Sequence, residues 1–367
     1  MGISGVFSAV RKDGTRYFRA SITYKERHIS LGSFDNEKAA GAAYALAAMI
    51  LFEREPSGEQ LENLLNTAGN EELRRTLESV TGNKERSENK ENTAGNEELR
   101  RTLESVTGNN ERSENKVSTA DIVEQQKELL SISEDAERTQ FKRLLYDIEN
   151  YDLFEKIIEF DKWVMLLNLK KTGMYIKNPI FLYDNYFVYY IERDYILKFD
   201  VDDLFFYRNH KIQKRGGHLF YSDYGMQTNL LNRYGIRSFA VKNRDYCFVN
   251  GDDTDFRYGN LLVINKYNGV RKQTLNGKTE YVVKIHANGD LTVGRYDDEI
   301  TAAIAYNKAA DRLEEAEKKK KIAMDDLNSK SAVTHNWTRN YIEEMKVQDY
   351  LKIYESIRFS NTLKRWL

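Results

Sequence analysis

The chain has 367 residues, enough for roughly two or three domains, and its 56 basic and 57 acidic residues nearly cancel, so net charge identifies no class of partner. A single cysteine, Cys247, excludes a disulfide framework and a zinc site built from several thiolates. The sequence shows neither a secretory signal pattern nor a membrane span of about 18 apolar residues. We therefore expect a protein of a reducing compartment, cytoplasmic and nucleoid-associated in a bacterium or phage and nuclear in a eukaryote.

Residues 1–53 form the first predicted module, three antiparallel strands followed by one helix. Apolar and polar residues alternate in the stretches TRYFRASITY and RHISLGSF, which is the period of half-buried strands. Asp35 or Asn36 is the expected N-cap of an alanine-rich helix that packs on the apolar face. The residues predicted to face inward are Phe18, Ala20, Ile22, Ile29 and Leu31.

The opposite face of this sheet is polar and basic, and residues 4–34 carry six basic against two acidic side chains, a net charge of +4. Such a sheet can lie in the major groove of DNA, where arginine bonds the guanine edge and flanking cations pair with phosphates. A solvated face with scattered charge explains the pattern equally well. The predicted DNA-binding residues are Arg11, Arg16, Tyr17, Arg19, Ser21, Thr23, Arg27, His28 and Ser30.

Four short motifs characterise the module: Gly5-Val6, Arg19-Ala20-Ser21-Ile22, Leu31-Gly32-Ser33-Phe34-Asp35 and Ala42-Ala43-Tyr44-Ala45. With them the stretch resembles the DNA-binding domain of the Apetala/ethylene-response-factor family. The resemblance implies that the sheet enters the major groove and that outward positions on all three strands contact DNA. Here these positions are Phe7, Ala9, Arg11, Tyr17, Arg19, Ser21, Thr23, His28 and Ser30.

Residues 54–137 form an acidic spacer that contains a direct repeat. Residues 66–91 and 92–117 are two copies of one 26-residue unit, and they differ only at Lys84/Asn110 and Glu91/Val117. Each copy has three apolar residues at helical spacing in an otherwise polar sequence, which predicts short helices joined by flexible segments. A coiled-coil dimer seam is the alternative, and two copies are too few for a solenoid.

Residues 138–266 form a middle region with the strongest core pattern. One or two amphipathic helices are predicted over residues 139–171, and aromatic, alternating strands over 180–191, 195–207 and 218–226. The segment that follows retains Asn250-Gly251-Asp252, Asp255, Arg257, Asn260-Leu261 and Val263-Ile264. It resembles the HNH homing-endonuclease domain, which in many bacterial and phage proteins is followed directly by an Apetala-type module.

The resemblance also locates the catalytic positions of that nuclease family, and histidine is missing from them. The family's first histidine falls near Asn232, its second on Phe248, and the asparagine of its Asp-Asn-Arg motif on Phe256. An HNH nuclease needs histidine to activate water beside a divalent metal, whereas phenylalanine neither binds metal nor accepts a proton. We therefore predict a degenerate domain with no catalytic residue, metal or cofactor. A residual nuclease that uses His210 or His218 is the alternative.

Residues 267–315 repeat the pattern of the first module, with Gly269-Val270, the stretch VGRYD and Ala305-Tyr306 in the corresponding places. Asp297 or Asp298 is the expected N-cap, and Val282 is expected on the outward face. This copy either reads DNA or, as we prefer, is the weaker binder, because outward acidic residues repel phosphate. Its predicted DNA-binding residues are Arg271, Lys272, Gln273, Lys284, His286, Thr292 and Arg295.

Residues 316–367 predict a helical tail. The helix of the second module is expected to continue through a lysine tract centred on Lys319. The spacing of the tail's large residues predicts a packed helix that closes the second module or forms a dimer contact. These residues are Tyr341, Met345, Tyr350 and Tyr354.

Together the patterns predict an α+β chain. Two small modules, each a three-stranded antiparallel sheet with a helix, flank a mixed α/β, degenerate HNH-like region. The expected function is sequence-specific binding of double-stranded DNA, by a transcriptional regulator or a factor derived from a mobile element, without enzymatic activity. The first alternative is an HNH-type homing endonuclease or nicking enzyme, and the second is a protein-interaction scaffold. A homodimer through the spacer or the C-terminal helices is possible on this pattern, and no membrane contact is expected.

Overall fold

The computed structural model describes residues 3–71, 73–75, 139, 142–325, 335–343 and 345–367. It is a mixed α+β structure with small three-stranded antiparallel sheets and helices, which confirms the predicted fold class. Most of the acidic spacer, including the second copy of the repeat, lies outside the described residues. The chain divides into two compact units, Met1–Asp184 with Val188–Asp194, and Asn185–Phe187 with Tyr195–Leu367. No helix within the described ranges is long and apolar enough to cross a membrane.

The first sheet is antiparallel and has the order β1–β2–β3. Its strands are β1 at Val6–Val10, β2 at Arg16–Tyr24 and β3 at Arg27–Phe34. Four of the predicted inner residues, Ala20, Ile22, Ile29 and Leu31, are buried, and Phe18 is half-buried against them. The alternation read from the sequence therefore identifies the inner face of this sheet.

Helix α1, Glu37–Phe52, begins at the predicted cap Asn36, whose side chain accepts a hydrogen bond from Ala39 N at 2.7 Å. The helix is buried around nearly its whole circumference, because Leu46, Ile50 and Leu51 are buried as well as the predicted small residues. A helix that is apolar all round belongs to the interior of a larger core. One side of α1 therefore packs on the sheet, and the remainder needs other partners.

Those partners are α2 (Gly58–Ala68) and α3 (Phe160–Thr172), which both pack against α1. Leu64 of α2, Trp163 of α3 and Phe154, which stacks on Trp163, belong to the same apolar cluster as the inner face of the first sheet. Residues more than a hundred positions apart in the chain thus share one core. Of the helices predicted over residues 139–171, α3 is the longest, and Ile148–Leu153 is a short 3-10 helix.

Eight short strands lie between α3 and the second module: β4 Ile180–Leu182, β5 Tyr186–Glu192, β6 Tyr195–Asp200, β7 Ile212–Arg215, β8 His218–Asp223, β9 Met226–Asn229, β10 Tyr246–Phe248 and β11 Leu261–Val263. Strands β7, β8 and β9 form an antiparallel sheet in that order, and β10 pairs antiparallel with β11. The strand predicted over residues 195–207 is wrong in its second half, where Leu204–Tyr207 is helix α4. Leu204 and Tyr207 are buried at helical spacing, whereas Phe205 between them is exposed.

The second module has the same architecture as the first. Strands β12 (Val270–Leu275), β13 (Lys278–His286) and β14 (Asp290–Tyr296) form an antiparallel sheet in that order. Helix α5, Glu299–Asp325, extends through Lys319 as predicted, and Thr301 N donates a hydrogen bond to its cap Asp298 at 2.7 Å. Its predicted small-residue face is buried at Ala302, Ala303, Tyr306, Ala309 and Ala310.

The C-terminal tail closes the second module with helices α6 (Val347–Ser356) and α7 (Asn361–Trp366). It adds Trp337, Ile357 and Leu363 to the core around α5. Met345, Tyr350 and Tyr354 pack against this core as predicted. Tyr341 does not, because the chain around it is not helical, and its side chain is 79% exposed.

One buried side chain of the tail fixes the start of the second sheet. Asn340 N donates to Asn307 Oδ1 on α5 at 2.6 Å, and Asn340 Oδ1 accepts from Asn268 N, also at 2.6 Å. Asn340 Nδ2 donates back to the Asn268 carbonyl at 3.1 Å. The tail thereby holds the residue that directly precedes Gly269.

A close contact between a glycine and a tyrosine joins the first strand to the helix in each module. Gly5 and Gly269 have φ values of +72° and +70°. A Cβ atom would lie 2.2 Å from the ring of Tyr44 at the first position and 2.3 Å from the ring of Tyr306 at the second. The Gly-Val and Ala-Tyr motifs of the sequence are therefore two halves of one contact, and no larger residue fits.

A second glycine in each module lies beneath an aromatic ring. Residues two apart on a strand share a face, so Gly32 lies under Phe34 and Gly294 under Tyr296. A Cβ would be 3.3 Å from the Phe34 ring and 2.6 Å from the Tyr296 hydroxyl. These contacts explain the shared Leu/Val-Gly-x-aromatic motif as a packing requirement.

Substituting Gly5→Ala should lower the free energy of unfolding by about 3 kcal/mol, because alanine adds both left-handed backbone strain and overlap with Tyr44. Gly14→Ala is the matched control, since Gly14 has φ +86° but no atom within 4 Å of the point that a Cβ would occupy. It should cost only about 1 kcal/mol. Denaturant titration followed by circular dichroism measures both values. Equal losses would show that backbone strain alone, and not the contact with Tyr44, sets the requirement for glycine.

Candidate nucleic-acid interface

The outer face of the first sheet is built from cross-strand rows. Arg19 on the central strand lies between Phe7 on β1 and Ser33 on β3, and the next row pairs Ala9 with Tyr17. Phe7 is 58% exposed and Arg19 and Ser33 are also exposed. The central row thus presents an aromatic ring, a guanidinium group and a hydroxyl side by side to solvent.

Tyr17 organises two arginines of this face. Arg19 donates to the Tyr17 hydroxyl from Nη2 at 2.6 Å and from Nε at 3.1 Å. The guanidinium carbons of Arg11 and Arg19 lie 5.5 and 5.4 Å from the centre of the Tyr17 ring. Cation–π contacts of this kind restrict a long side chain without neutralising its charge. The structure therefore brings Arg11, Tyr17 and Arg19 together as one cluster, which we call the Tyr17 cluster.

The other predicted residues of the first module are placed less uniformly. Thr23, His28 and Ser30 are exposed on the outer face, with Thr23 opposite His28. Arg16 and Arg27 are exposed at strand ends, in the register of the inner face and apart from the Tyr17 cluster. These two arginines flank the outer face and are not part of it.

The prediction that Ser21 is accessible is wrong, since its residue is only 8% exposed. The pairing of β2 with β3 shifts by one residue between Ala20 and Ser21, which is a β-bulge. At this position Ser21 N donates to the Gly5 carbonyl at 3.0 Å, so the chain entering β1 lies against it. A bulge cannot be read from alternation, and the alternating pattern therefore overstated the size of the outer face.

Sequence analysis also missed one residue of this face. The stretch RHISLGSF is predicted as a strand, but Ser33 is not named among its outward residues; β3 extends to Phe34 and Ser33 is paired with Arg19. Its polarity was the available signal, because simple alternation from the inward Leu31 would place Ser33 on the inner face and the bulge reverses this. Strand ends next to a helix cap are difficult to place from sequence, because the cap residues have extended dihedral angles too.

Charges on the first outer face are largely unneutralised. Arg11 lies 3.5 Å from Asp35, and both side chains are well exposed, so this ion pair contributes little. Among the described residues, Arg16, Arg19 and Arg27 have no carboxylate within ion-pair distance. The three arginines Arg16, Arg19 and Arg27 therefore present their charge to solvent without an ion-pair partner among the described residues.

The second module differs because two of its five Lys and Arg residues over 267–297, and His286, lie against carboxylates of the same module. Arg295 forms an ion pair with Glu280, His286 Nδ1 lies 3.2 Å from Asp290, and Lys278 Nζ lies 3.0 Å from Asp297. The hydrogen bond from His286 lowers the pKa of the Asp290 carboxyl. Two of the seven predicted DNA-binding residues of this module, Arg295 and His286, are thus engaged with carboxylates of their own sheet.

The remaining predicted residues of this module vary in exposure. Lys272 and Gln273 are exposed on β12, whereas Arg271, Lys284 and Thr292 are half-buried. Val282 lies on the outward face as expected, between Arg271 and Arg295 across the sheet, but it is only 4% exposed. Long arginine stems commonly cover an apolar side chain in this way.

In the middle region, Phe248 and Phe256 form part of an aromatic core. Both are buried, and their ring centres lie 5.6 Å apart in an edge-to-face arrangement. Phe256 also contacts Phe199, at a centroid distance of 5.6 Å, and Tyr234 at 5.9 Å. The two positions that would carry catalytic polar groups in the resembled nuclease family are filled here by side chains that pack on each other.

The acidic residues near these phenylalanines each have their own partner. Asp252 accepts two hydrogen bonds from Thr254, Asp253 pairs with Lys242 at 2.6 Å, and the buried Asp255 pairs with Arg257 at 2.6 Å. Within the described ranges, no three His, Cys, Asp or Glu residues are grouped so as to hold a metal ion.

The two histidines considered for a residual nuclease are held by aromatic side chains. His210 stacks on Phe206 with ring centres 4.0 Å apart, and its Nδ1 lies 2.9 Å from the Phe206 carbonyl. His218 is exposed on β8 and has an edge contact with Phe220 at 6.3 Å.

Asp245 is the most strongly perturbed carboxylate of the middle region. Burial raises its pKa, but Arg244, the Val241 amide, Arg237 and Asn265 outweigh burial and lower the pKa to about 2. Arg237 and Arg244 lie 3.0 and 2.8 Å from the carboxylate. Asn265 in turn accepts a hydrogen bond from Lys272 N at 2.9 Å, so this network reaches the first strand of the second sheet.

Comparison of the chain with protein-family models, with curated proteins and with solved structures yields no match. Function is therefore inferred from the geometry and charge of the residues described above.

Replacing Asp245→Asn should destabilise the protein by about 3 kcal/mol at neutral pH, because it leaves the half-buried Arg237 without a counter-ion. The folded-state pKa of Asp245 lies below its ordinary value of 3.8, so the carboxylate stabilises the fold above about pH 4. This contribution, about 2 kcal/mol, is lost as the pH falls toward 2. Denaturant titrations at several pH values should therefore show that the free energy of unfolding of the variant decreases less than that of the wild type as the pH falls from about 4 to 2.

Asp253→Asn is the control for this experiment, since Asp253 is exposed and paired with the exposed Lys242. The Asp253→Asn variant should lose less than about 1 kcal/mol of unfolding free energy, and its stability should decrease with acid as that of the wild type does. A variant at Asp245 that retained the wild-type pH dependence would contradict the role assigned to this carboxylate.

Proposed function

We propose that the protein binds double-stranded DNA sequence-specifically through the outer face of β1–β3. The observation that carries the proposal is the Tyr17 cluster, in which Arg19 is oriented by Tyr17 and has no carboxylate partner among the described residues. A guanidinium group held in this way has lost part of its side-chain entropy before it meets a ligand. It can then donate two parallel hydrogen bonds to the edge of guanine in the major groove.

The neighbours of Arg19 support a reading of bases as well as phosphates. Exposed Phe7 can contact a thymine methyl group, and Ser33 can donate to or accept from a base edge. Arg16 and Arg27, at the strand ends, are suited to phosphates on either side of the groove. The resemblance of this module to the Apetala/ethylene-response-factor domain points to the same face.

The unequal charge of the two modules argues against an ordinary solvated surface. Both sheets have the same strand order and the same glycine contacts, but the second pairs Lys278 and Arg295 with its own acids. Surface cations of a protein with no need for an anionic ligand are commonly interspersed with acids, as in the second module. We therefore assign specific reading to the first module and a weaker, supporting contact to the second.

We further propose that the middle region has no nuclease activity. An HNH mechanism requires a polar side chain at the position of Phe248, and this ring instead packs against Phe256. A plasmid incubated with the protein and Mg²⁺ or Mn²⁺ should stay supercoiled. Accumulation of nicked circles that depends on the metal would favour the endonuclease alternative.

Arg19→Gln should weaken binding to the preferred duplex by about tenfold or more, because the substitution removes a charged donor pair from the base edge. The preferred duplex is first selected from a random pool, and affinity is then measured by fluorescence anisotropy. Arg54→Gln is a closely matched control in the same unit. Arg54 is exposed, and its guanidinium carbon lies 5.9 Å from the centre of the ring of Phe52, two residues earlier in the chain. It should bind as the wild type does.

The salt dependence of the same measurement tests the role of phosphates. With several phosphate contacts, the logarithm of the affinity should fall against the logarithm of salt with a slope of about −3 or steeper. The proposal fails if no duplex is enriched from the pool, or if Arg19→Gln and Arg54→Gln bind alike.

A further inference from the structure

The sheet β7–β9 lies in a strongly basic part of the middle region that the sequence motifs did not single out. Residues 204–222 contain Arg208, Lys211, Lys214 and Arg215 and no acidic residue. Their charge of +4 equals that of the first module and is concentrated in a shorter stretch. The basic residues follow each other in the chain up to the turn that joins β7 to β8.

The outward face of this sheet has the composition of a base-reading surface. The register places Gln213 opposite Phe220, Arg215 opposite His218 and Ser222 opposite Gln227. The opposite face is the packed one, because Ile212, Leu219 and Tyr221 are buried. Asp223, the single carboxylate of these strands, follows the phase of Tyr221, and Lys214 follows that of Leu219, so the strands place neither on the outward face. The outward residues are Gln213, Arg215, His218, Phe220, Ser222, Gln227 and Asn229.

The turn between β7 and β8 leaves this face open to a large partner. Gly216 and Gly217 have φ values of +57° and +78°, as in the tight two-residue turns of β-hairpins. No atom lies within 4 Å of the position of a Cβ on either glycine. The two glycines of the turn therefore have open space above their Cα atoms, and Gly217 and His218 line a cavity together with Lys242 and Tyr246.

The two cations next to the turn are available to a ligand. Neither Lys214 nor Arg215 has a carboxylate partner among the residues that the structure describes. Lys214 Nζ lies 4.0 Å from the centre of the Tyr195 ring, which supports the ammonium group and keeps its charge. This arrangement resembles that of the Tyr17 cluster, a cation on an aromatic ring with no counter-ion.

We infer that the outward face of β7–β9 and the adjoining turn form a second DNA-binding surface, in which Arg215, Gln213 and Gln227 bond base edges. Lys214, which is exposed beside the turn in the register of the opposite face, contacts backbone phosphate at the edge of this surface. The charge and the donors and acceptors match duplex DNA, since arginine pairs with guanine and glutamine with adenine in the major groove. The inference deepens the proposed function and rests on it. It assigns to the middle region a positive role in binding that requires no catalysis.

The experiment compares two identical dipeptides of the same unit. Lys214→Gln with Arg215→Gln removes the pair beside the turn, and Lys364→Gln with Arg365→Gln removes the exposed pair at the end of α7. Both variants lose two positive charges from the full chain. The first should bind the selected duplex at least about tenfold more weakly, with a salt slope shallower by about one to two. The second should bind within about twofold of the wild type.

Two further measurements separate binding from folding. The thermal unfolding midpoint of both variants should equal that of the wild type, because all four side chains are exposed. In the wild-type protein, duplex DNA should protect Lys214 from acetylation, as measured by mass spectrometry, and leave Lys364 reactive. Protection of neither lysine would overturn the inference without any substitution.

The outcomes distinguish this inference from the proposed function. If Arg19→Gln weakens binding and the Lys214/Arg215 variant does not, the second surface is wrong and the first stands. Equal losses in the two dipeptide variants would attribute the effect to net charge and would also overturn the inference. If only the Lys214/Arg215 variant loses affinity, DNA is bound by the middle region and the role proposed for β1–β3 is wrong. A wild-type protein that binds no duplex overturns both.

Discussion

The close approach of a glycine backbone to a tyrosine ring is the constraint on which both modules depend. Gly5 meets Tyr44 and Gly269 meets Tyr306, and in each case the glycine carbonyl accepts a hydrogen bond from the bulged central strand. This one contact sets the distance between sheet and helix and fixes where the first strand begins. The position of Arg11 and Phe7 on the first outer face follows from it. A motif that looks like a family signature is thus a steric requirement, which any sequence with this geometry must meet.

Much of the fold could be predicted from the sequence, because alternation and helical spacing report directly on burial. The inner residues of β2 and β3, the caps Asn36 and Asp298 and the small-residue face of α5 were all predicted correctly. The errors arise where burial depends on partners that are distant in the chain. Ser21 is buried at a bulge, Val282 is covered by two arginine stems, and α1 is enclosed by helices that come from far along the sequence.

The candidate site was harder to predict, because exposed charges give no periodic signal. The sequence named Arg11, Tyr17 and Arg19, but it did not show that Tyr17 holds both arginines. Nor could it show which cations are neutralised, since Arg295 and Glu280 are fifteen residues apart. The central rows of the two sheets make the difference plain: Phe7, Arg19 and Ser33 in one, and Arg271, Val282 and Arg295 in the other. In the first module the arginine of this row is on the central strand, and in the second module the two arginines are on the outer strands.

The burial of α1 on all sides has a consequence for how the chain can be divided. A fragment that ends with α1 would expose Leu46, Ile50 and Leu51, which lie against α2, α3 and their neighbours in the native protein. The first module is therefore not an independently folding domain, although its length is that of a small domain. It shares one core with residues beyond the acidic spacer, and the spacer therefore connects two parts of a common core. Its length can vary freely, as the duplicated 26-residue unit suggests, since closing a longer loop adds little entropic cost.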